Sequence, residues 1–278
     1  MSNNVHIGVC RLCGRNKELT FEHVPPASAF NNEKVKMIPG DEVIKQISNP
    51  NIEPWDLSKS YGKYQQRGRG GFYLCADCNS KTGQWYVPQY MEFVHEIYGA
   101  MYSVKEREYA SLGLTLKNIA PLPIIKQIMT MFCDINEGHF GDDKLIDYLL
   151  NKENNSFDYS RYHVYMHIHA GDVERMNGIS VRFDSHHGMI TLSEISTFPF
   201  GFTLYIDKPN SLKPEGVELT SFFKYKYTDR CEVSLIIPKL ECNIFFSGDY
   251  RTKKMINCVK NRERDAGYVS GDVEIVKK

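Results

Sequence analysis

The sequence predicts an α+β protein in two parts. Residues 1–104 form a zinc-stabilised N-terminal region, and residues 105–278 a mainly antiparallel sheet domain with a few helices. Three observations predict this. Two Cys-x-x-Cys pairs, Cys10–Cys13 and Cys75–Cys78, lie 61 residues apart in the N-terminal part. Apolar residues recur at helical spacing between residues 89 and 151. Beyond Tyr159 they alternate with polar ones, the period of a half-buried strand. A chain of 278 residues has room for about two domains, and 42% hydrophobic with 24% charged residues is ordinary globular usage.

Taken in order, residues 19–24 alternate as a short strand, which Pro25 and Pro26 must end because proline offers no N–H to a ladder. Residues 31–71 contain Pro39, Pro50, Pro54 and several glycines and read as irregular. Within them, residues 55–71 carry Lys59, Lys63, Arg67 and Arg69 against only Asp56, interleaved with Trp55, Tyr61 and Tyr64. This reads as a mobile basic loop, with the composition to follow a phosphate backbone and stack on bases. Tyr90, Phe93, Val94, Ile97, Tyr98 and Met101 mark a helix over 89–102. Two more follow at 122–135 and, behind Gly141, at 142–151. Strands are expected at 162–169, 179–183, 189–195, 200–206, 217–227 and 231–237. Turns at Asn177-Gly178, His187-Gly188, Pro209-Asn210 and Pro214 separate them. The aromatics Phe198, Phe200, Phe202, Tyr205, Phe222, Tyr225 and Tyr227 read as sheet core. The basic run Arg251, Lys253, Lys254, Lys260, Arg262 and Arg264 reads as a solvated helix face rather than a DNA-contacting one.

Lysine plus arginine equal aspartate plus glutamate at 34 each. That excludes a uniformly basic nucleic-acid coater and an acidic tail protein. The balance is uneven, however: residues 1–90 hold 11 basic and 8 acidic side chains. No stretch approaches the ~20 apolar residues of a membrane helix, and the first residues show no secretory leader. A cytosolic protein is expected, in which Cys-x-x-Cys pairs point to metal rather than disulfides.

Each Cys-x-x-Cys turn presents two thiolates at the spacing of two ligands of one tetrahedral ion. Cys10, Cys13, Cys75 and Cys78 therefore make a closed, structural zinc site. A thioredoxin-like redox pair would need a βαβ context that neither motif has. Cys133, Cys231, Cys242 and Cys258 stand alone and read as core or surface thiols. His163, His167 and His169 share one face of a strand and His186-His187 sit in a turn. With no cysteine or carboxylate at ligand spacing, no second metal site is expected there. Trp85, Tyr86 and Tyr90 read as core beneath the zinc lobe.

Between the knuckles stands Glu22-His23-Val24-Pro25-Pro26, and directly after the second comes Asn79-Ser80-Lys81. Closing the zinc site draws Asn79 toward the strand carrying Glu22 and His23, if the segment after Cys13 doubles back. A carboxylate and an amide oxygen suit Mg²⁺ or Mn²⁺, and a nearby imidazole can take a proton from water. These are parts of a one-metal phosphodiester hydrolase. In a regular strand Glu22 and His23 face opposite sides; a distorted end at the two prolines would let both serve one phosphate.

With these residues in place, the sequence resembles the HNH (ββα-metal) endonuclease superfamily, in particular its four-cysteine zinc members of the recombination endonuclease VII type. The resemblance rests on Cys10-x-x-Cys13, Glu22-His23-x-Pro25 and Cys75-x-x-Cys78-Asn79, and covers residues 5–100. It implies a ββα-metal fold, Glu22 and Asn79 as ligands of Mg²⁺ or Mn²⁺, and His23 as general base. It also implies DNA as substrate, with RNA not excluded, and Trp85 and Tyr86 near the start of a closing helix. Two features depart from the family pattern. The asparagine that orients the histidine has only Asn49 and Asn51 as positional candidates, and Lys81 follows Asn79 by two residues rather than three. Nucleic-acid contacts are expected from Lys59, Lys63, Arg67, Arg69 and Lys81. The C-terminal part would supply targeting, regulation, a homodimer contact or a protein partner, in a bacterial or phage conflict system. The rival reading is an inactive zinc module that binds nucleic acid or protein.

Overall fold

A computed structural model describes residues 5–49, 51–104, 108–136, 140 and 142–265, with side chains described as far as residue 259. Its N-terminal part is built on a hairpin. Strand β1 (Ile7–Val9) pairs antiparallel with β2 (Asn16–His23). On its other side β2 pairs with β5 (Gly70–Cys75), from Leu19 opposite Cys75 to His23 opposite Gly70, with a register shift at Thr20/Phe21. Glycine at position 70 is obligatory, since a Cβ there would sit 2.1 Å from the Glu22 carbonyl oxygen. Helix α2 (Ala76–Trp85) follows β5 without a break. The result is a three-stranded sheet in the order β1-β2-β5 with a helix leaving its last strand.

The stretch between β2 and β5 differs from expectation. Residues 31–71 are not irregular throughout: β3 (Val35–Met37) pairs with β4 (Lys63–Gln65), and α1 (Gly40–Ile47) lies between them. Three-residue strands are too short to display a period, and α1 buries only Val43, so neither left a pattern to read. Helix α2 also begins earlier than the aromatic residues suggested. Asn79 lies in its first turns, and Trp85 is its last residue. Tyr86 and Tyr90 are buried as expected, Tyr90 on α3 (Val87–Ser103), which also buries Phe93, Val94, Ile97 and Met101.

The C-terminal part holds a seven-stranded sheet in the order β6-β12-β7-β10-β9-β8, with β11 on β7. Its strands are β6 (Ser111–Ile119), β7 (Tyr162–Ala170), β8 (Arg175–Asp184), β9 (Gly188–Thr197), β10 (Phe200–Ile206), β11 (Val217–Glu218) and β12 (Cys231–Glu241). Every pairing is antiparallel except β12 with β7. Three expectations are corrected. β6 was unforeseen. Residues 217–227 are a two-residue strand and a 3-10 turn (Thr220–Lys224) instead of one long strand. Asn177-Gly178 lies inside β8 at a bulge and is not a turn. Phe200, Phe202, Tyr205 and Phe222 are buried, whereas Phe198 is 53% exposed.

Helix α4 (Pro121–Ile135) is buried on every side through Asp134 and packs against α3 and β5 as well as β8 and β9. Helix α5 (Asp143–Leu150) is capped by Asp142, which accepts from the Lys144 and Leu145 amides. Helix α6 (Lys253–Asp265) carries the basic run. One apolar cluster extends from Cys10, Leu12, Val24 and Leu74 through α3 and α4 to β7 and β10. The core is thus continuous across the 104/105 boundary. Among the described residues no helix is long and apolar enough to cross a membrane.

Candidate metal centre

Cys10 and Cys13 sit on the turn after β1. Gly14 there adopts φ 66° and donates its amide to the Cys10 carbonyl at 2.9 Å, the close return a knuckle needs. Cys75 ends β5 and Cys78 lies in the first turn of α2. The hairpin register brings the two turns together, and all four sulfurs lie within 4.8 Å of one another, Cys13 and Cys75 at 3.9 Å. A hydrogen bond with the Cys78 thiol pulls Cys10 down, whereas burial pushes Cys13 up. Four sulfur donors at this spacing fit a tetrahedral zinc ion.

Beside the quartet, Asn79 donates its side-chain amide to Thr20 Oγ1 at 3.0 Å, near enough to the Glu22 carboxylate to act on its titration. Thr20 Oγ1 in turn donates to the Leu74 carbonyl at 3.0 Å. Glu22 is half-buried. Burial pushes its carboxyl up to about 7, and Asn79 works against that shift. Glu22 and Asn79 are therefore together, as the zinc-closure argument required.

His23 is placed differently. Past the register shift at Thr20/Phe21, pairing runs in step from Phe21 to His23, so the prolines come too late to distort that stretch. Alternation then turns His23 to the side of Phe21, whose ring it meets edge-on at 5.0 Å, and away from the side of Thr20 and Glu22. Its Nε2 lies 2.8 Å from the Arg67 carbonyl. A carbonyl only accepts, so Nε2 carries the proton and Nδ1 keeps the lone pair of a base. The Arg67 carbonyl thus fixes the orientation of the His23 ring. Asn49 and Asn51 lie elsewhere, Asn49 accepting from the Asn51 amide at 3.0 Å.

Two residues near the site had not been singled out. Asn31 is buried and staples the chain on both sides of His23. Its amide donates to the Pro25 and Arg69 carbonyls at 2.6 and 2.8 Å, and its oxygen accepts from the Arg69 amide at 2.7 Å. No sequence signal marks it. Asp134 of α4 is fully buried, and neither carboxylate oxygen has a hydrogen-bond partner. Burial pushes its carboxyl well up, the charge of Glu22 adds to that, and Arg11 opposes it. Arg11 also donates to the Asp134 carbonyl and lies 4.5 Å from the Tyr73 ring centroid. Asp134 is the one acid in the mostly apolar run 121–135, and that was the available signal.

Of the expected nucleic-acid contacts, Lys59, Lys63, Arg67 and Lys81 are exposed. Arg69 is instead engaged with Glu174 across the two parts of the chain. Lys34 lies over the Tyr64 ring and Lys253 over that of Trp55. One cleft, about 1030 Å³, is lined by residues 33–43 and β8 and holds the basic Lys36 and Arg182 with the acidic Glu33, Asp172 and Asp249 on its walls. Its mixed charge and its position leave it apart from Glu22 and Asn79.

The expectation of no further ligand near the sheet histidines is overturned. Cys242 joins His167 and His169 in a second buried group whose donor atoms lie within 4.8 Å of one another. Compared with protein-family models, curated proteins and solved structures, the chain matches none.

Proposed function

We propose that the N-terminal part is a metal-dependent nuclease of HNH type acting on DNA phosphodiesters. The observation that carries this reading is the meeting of Glu22 and Asn79 beside the cysteine quartet. A half-buried carboxyl with a raised pKa, an amide beside it, and a second buried acid without partners are what a hard divalent cation would satisfy. Glu22 and Asn79 would hold Mg²⁺ or Mn²⁺, which when bound supplies positive charge at the phosphate and the leaving oxygen. His23 takes the proton of the attacking water on Nδ1, held in that tautomer by the Arg67 carbonyl. Asn31 keeps the strand end and the Arg67–Arg69 segment in register around it. Lys59, Lys63, Arg67 and Lys81 are the side chains to meet phosphate.

The placement of His23 on the face opposite Glu22 favours a second reading, a zinc module that binds nucleic acid without cutting it. Exposed Ile179, Val181 and Phe183 on the outer strand β8 support a protein- or self-binding role for the C-terminal sheet. Supercoiled DNA and a structured RNA, each incubated with Mg²⁺ or Mn²⁺, separate the readings. Under the nuclease reading wild type cuts one of them, while His23→Ala and Glu22→Gln each lose at least ~10²-fold. Equal cutting by wild type and His23→Ala removes the assignment of His23. Binding without cutting by the wild type establishes the module.

A further inference from the structure

We propose that His167, His169 and Cys242 are a second metal site, holding one zinc-class transition-metal ion inside the C-terminal sheet. The two histidines lie two apart on β7, so both point to one side of it. β12 runs parallel to β7, with Leu240 opposite His169, and Cys242 follows directly. Its amide donates to the Ala170 carbonyl at 2.7 Å and its carbonyl accepts from the Val173 amide at 2.9 Å. The backbone on both sides of the sulfur is thereby fixed.

The neighbouring strands are shaped around these three donors. Ser196 Oγ on β9 lies 2.9 Å from His167 Nε2, 2.9 Å from His169 Nδ1 and 3.3 Å from Cys242 Sγ. It reaches His167 across Gly201 of β10. A Cβ at 201 would sit 2.0 Å from Nε2 and 2.6 Å from Ser196 Oγ, so only glycine leaves the space. Ligand bonds of ~2.0–2.1 Å to nitrogen and ~2.3 Å to sulfur set donor separations of about 3.3–3.7 Å. The three donor atoms, within 4.8 Å of one another, would draw together around an ion to reach that, with Ser196 Oγ placed as a fourth donor.

The electrostatics suit the same donor set. Burial holds both imidazoles neutral, His169 down to about 4 and His167 well below its usual range, and a neutral imidazole keeps a lone pair for a metal. Arg175 Nη2 donates to Cys242 Sγ at 2.8 Å, which opposes the upward push of burial on that thiol. Glu194 pairs with Arg175 at 3.0 Å and is held by the Gly248 amide and the Tyr250 hydroxyl. The guanidinium charge is thus offset within the cluster. Two nitrogens and one sulfur select zinc-class ions over Mg²⁺ or Ca²⁺. With His167, His169 and Cys242 all buried, the ion would be structural, tying β7 to β12 at the sheet's one parallel pairing.

The alternative is a metal-free hydrogen-bonded core, and metal counting decides between them. Full-length protein is loaded with Zn²⁺, freed of excess by gel filtration and assayed for zinc per chain. Wild type should retain two ions, and His169→Gln and Cys242→Ala one each. One ion in the wild type, or an unchanged count in both variants, overturns the proposal. Should the variants fail to fold, Co²⁺ titration of the wild type still answers. A second equivalent should add bands at shorter wavelength, with weaker sulfur charge transfer, than the four-sulfur site gives. Saturation at one equivalent with a pure four-sulfur spectrum overturns it. The readout is independent of nuclease activity, so failure of either proposal leaves the other standing.

Discussion

The cysteine quartet is made by two local turns, whereas the His167–His169–Cys242 cluster joins strand β7 to the residue after β12, two stretches that meet through sheet pairing. The quartet's surroundings are thin: Ile7 and Val9 of β1 are 65% and 61% exposed, and Phe21 and Phe72 of the hairpin are also exposed. In the second cluster His167 is at 0% exposure, as are its neighbour Ser196 and the Arg175 partner Glu194. The difference teaches where an ion would be essential. A hairpin with little apolar cover depends on its metal to hold shape. A cluster inside a packed sheet has partners of its own.

The largest test of that contrast is removal of metal by a chelator. Amides of β2, β5 and α2 should lose hydrogen-exchange protection while those of β7 and β10 keep theirs. Structural zinc in small modules is worth ~10–16 kcal/mol in apparent binding. Simultaneous loss everywhere would mean that the continuous core couples the two parts into one folding unit. Next in size is Gly201→Ala, which drives a methyl into His167 Nε2 and should cost about 2–4 kcal/mol by denaturant unfolding. A cost below ~0.5 kcal/mol would show that the histidine is free to move and the cluster loosely built.

Asp134 tests the space between the regions. Its carboxyl is raised in the fold, so its contribution is most favourable below the unfolded value of 3.8 and is lost as pH rises above it. Asp134→Asn, measured without added Mg²⁺, should therefore be more stable than wild type by about 1–3 kcal/mol near neutrality. The gap should close as pH falls toward 4. Destabilisation at neutral pH would show that the acid has a partner in solution. Smallest is Arg69→Ala. The Arg69–Glu174 pair joins the insert to the sheet with side-chain exposures of 12% and 32%. Its loss should cost about 1 kcal/mol, less at high salt. A null result would mean that packing alone holds the insert there.

Much of the candidate site was legible in the sequence because it is local. A Cys-x-x-Cys turn carries its own geometry, and Asn79 follows Cys78 directly, so closing the quartet places it whatever the rest does. The long strands and helices were legible for the same reason, since each repeats its period over several turns or residue pairs. The insert was not, because β3 and β4 are three residues each and their pairing spans 28 positions of chain.

What the sequence determined by itself was the sulfur quartet, the proximity of Glu22 to Asn79 and the change from helical to alternating pattern after Tyr159. Only the tertiary structure decided on which face His23 stands. That depends on whether the strand distorts before or after it, and the register with β5 sets this. Only the tertiary structure brought Cys242 to His167 and His169, and Asp134 up behind Glu22. Those contacts join residues 73 and 112 positions apart in the chain, where no local periodicity reaches. Sheet order and helix packing, driven by burial of the shared core, place them.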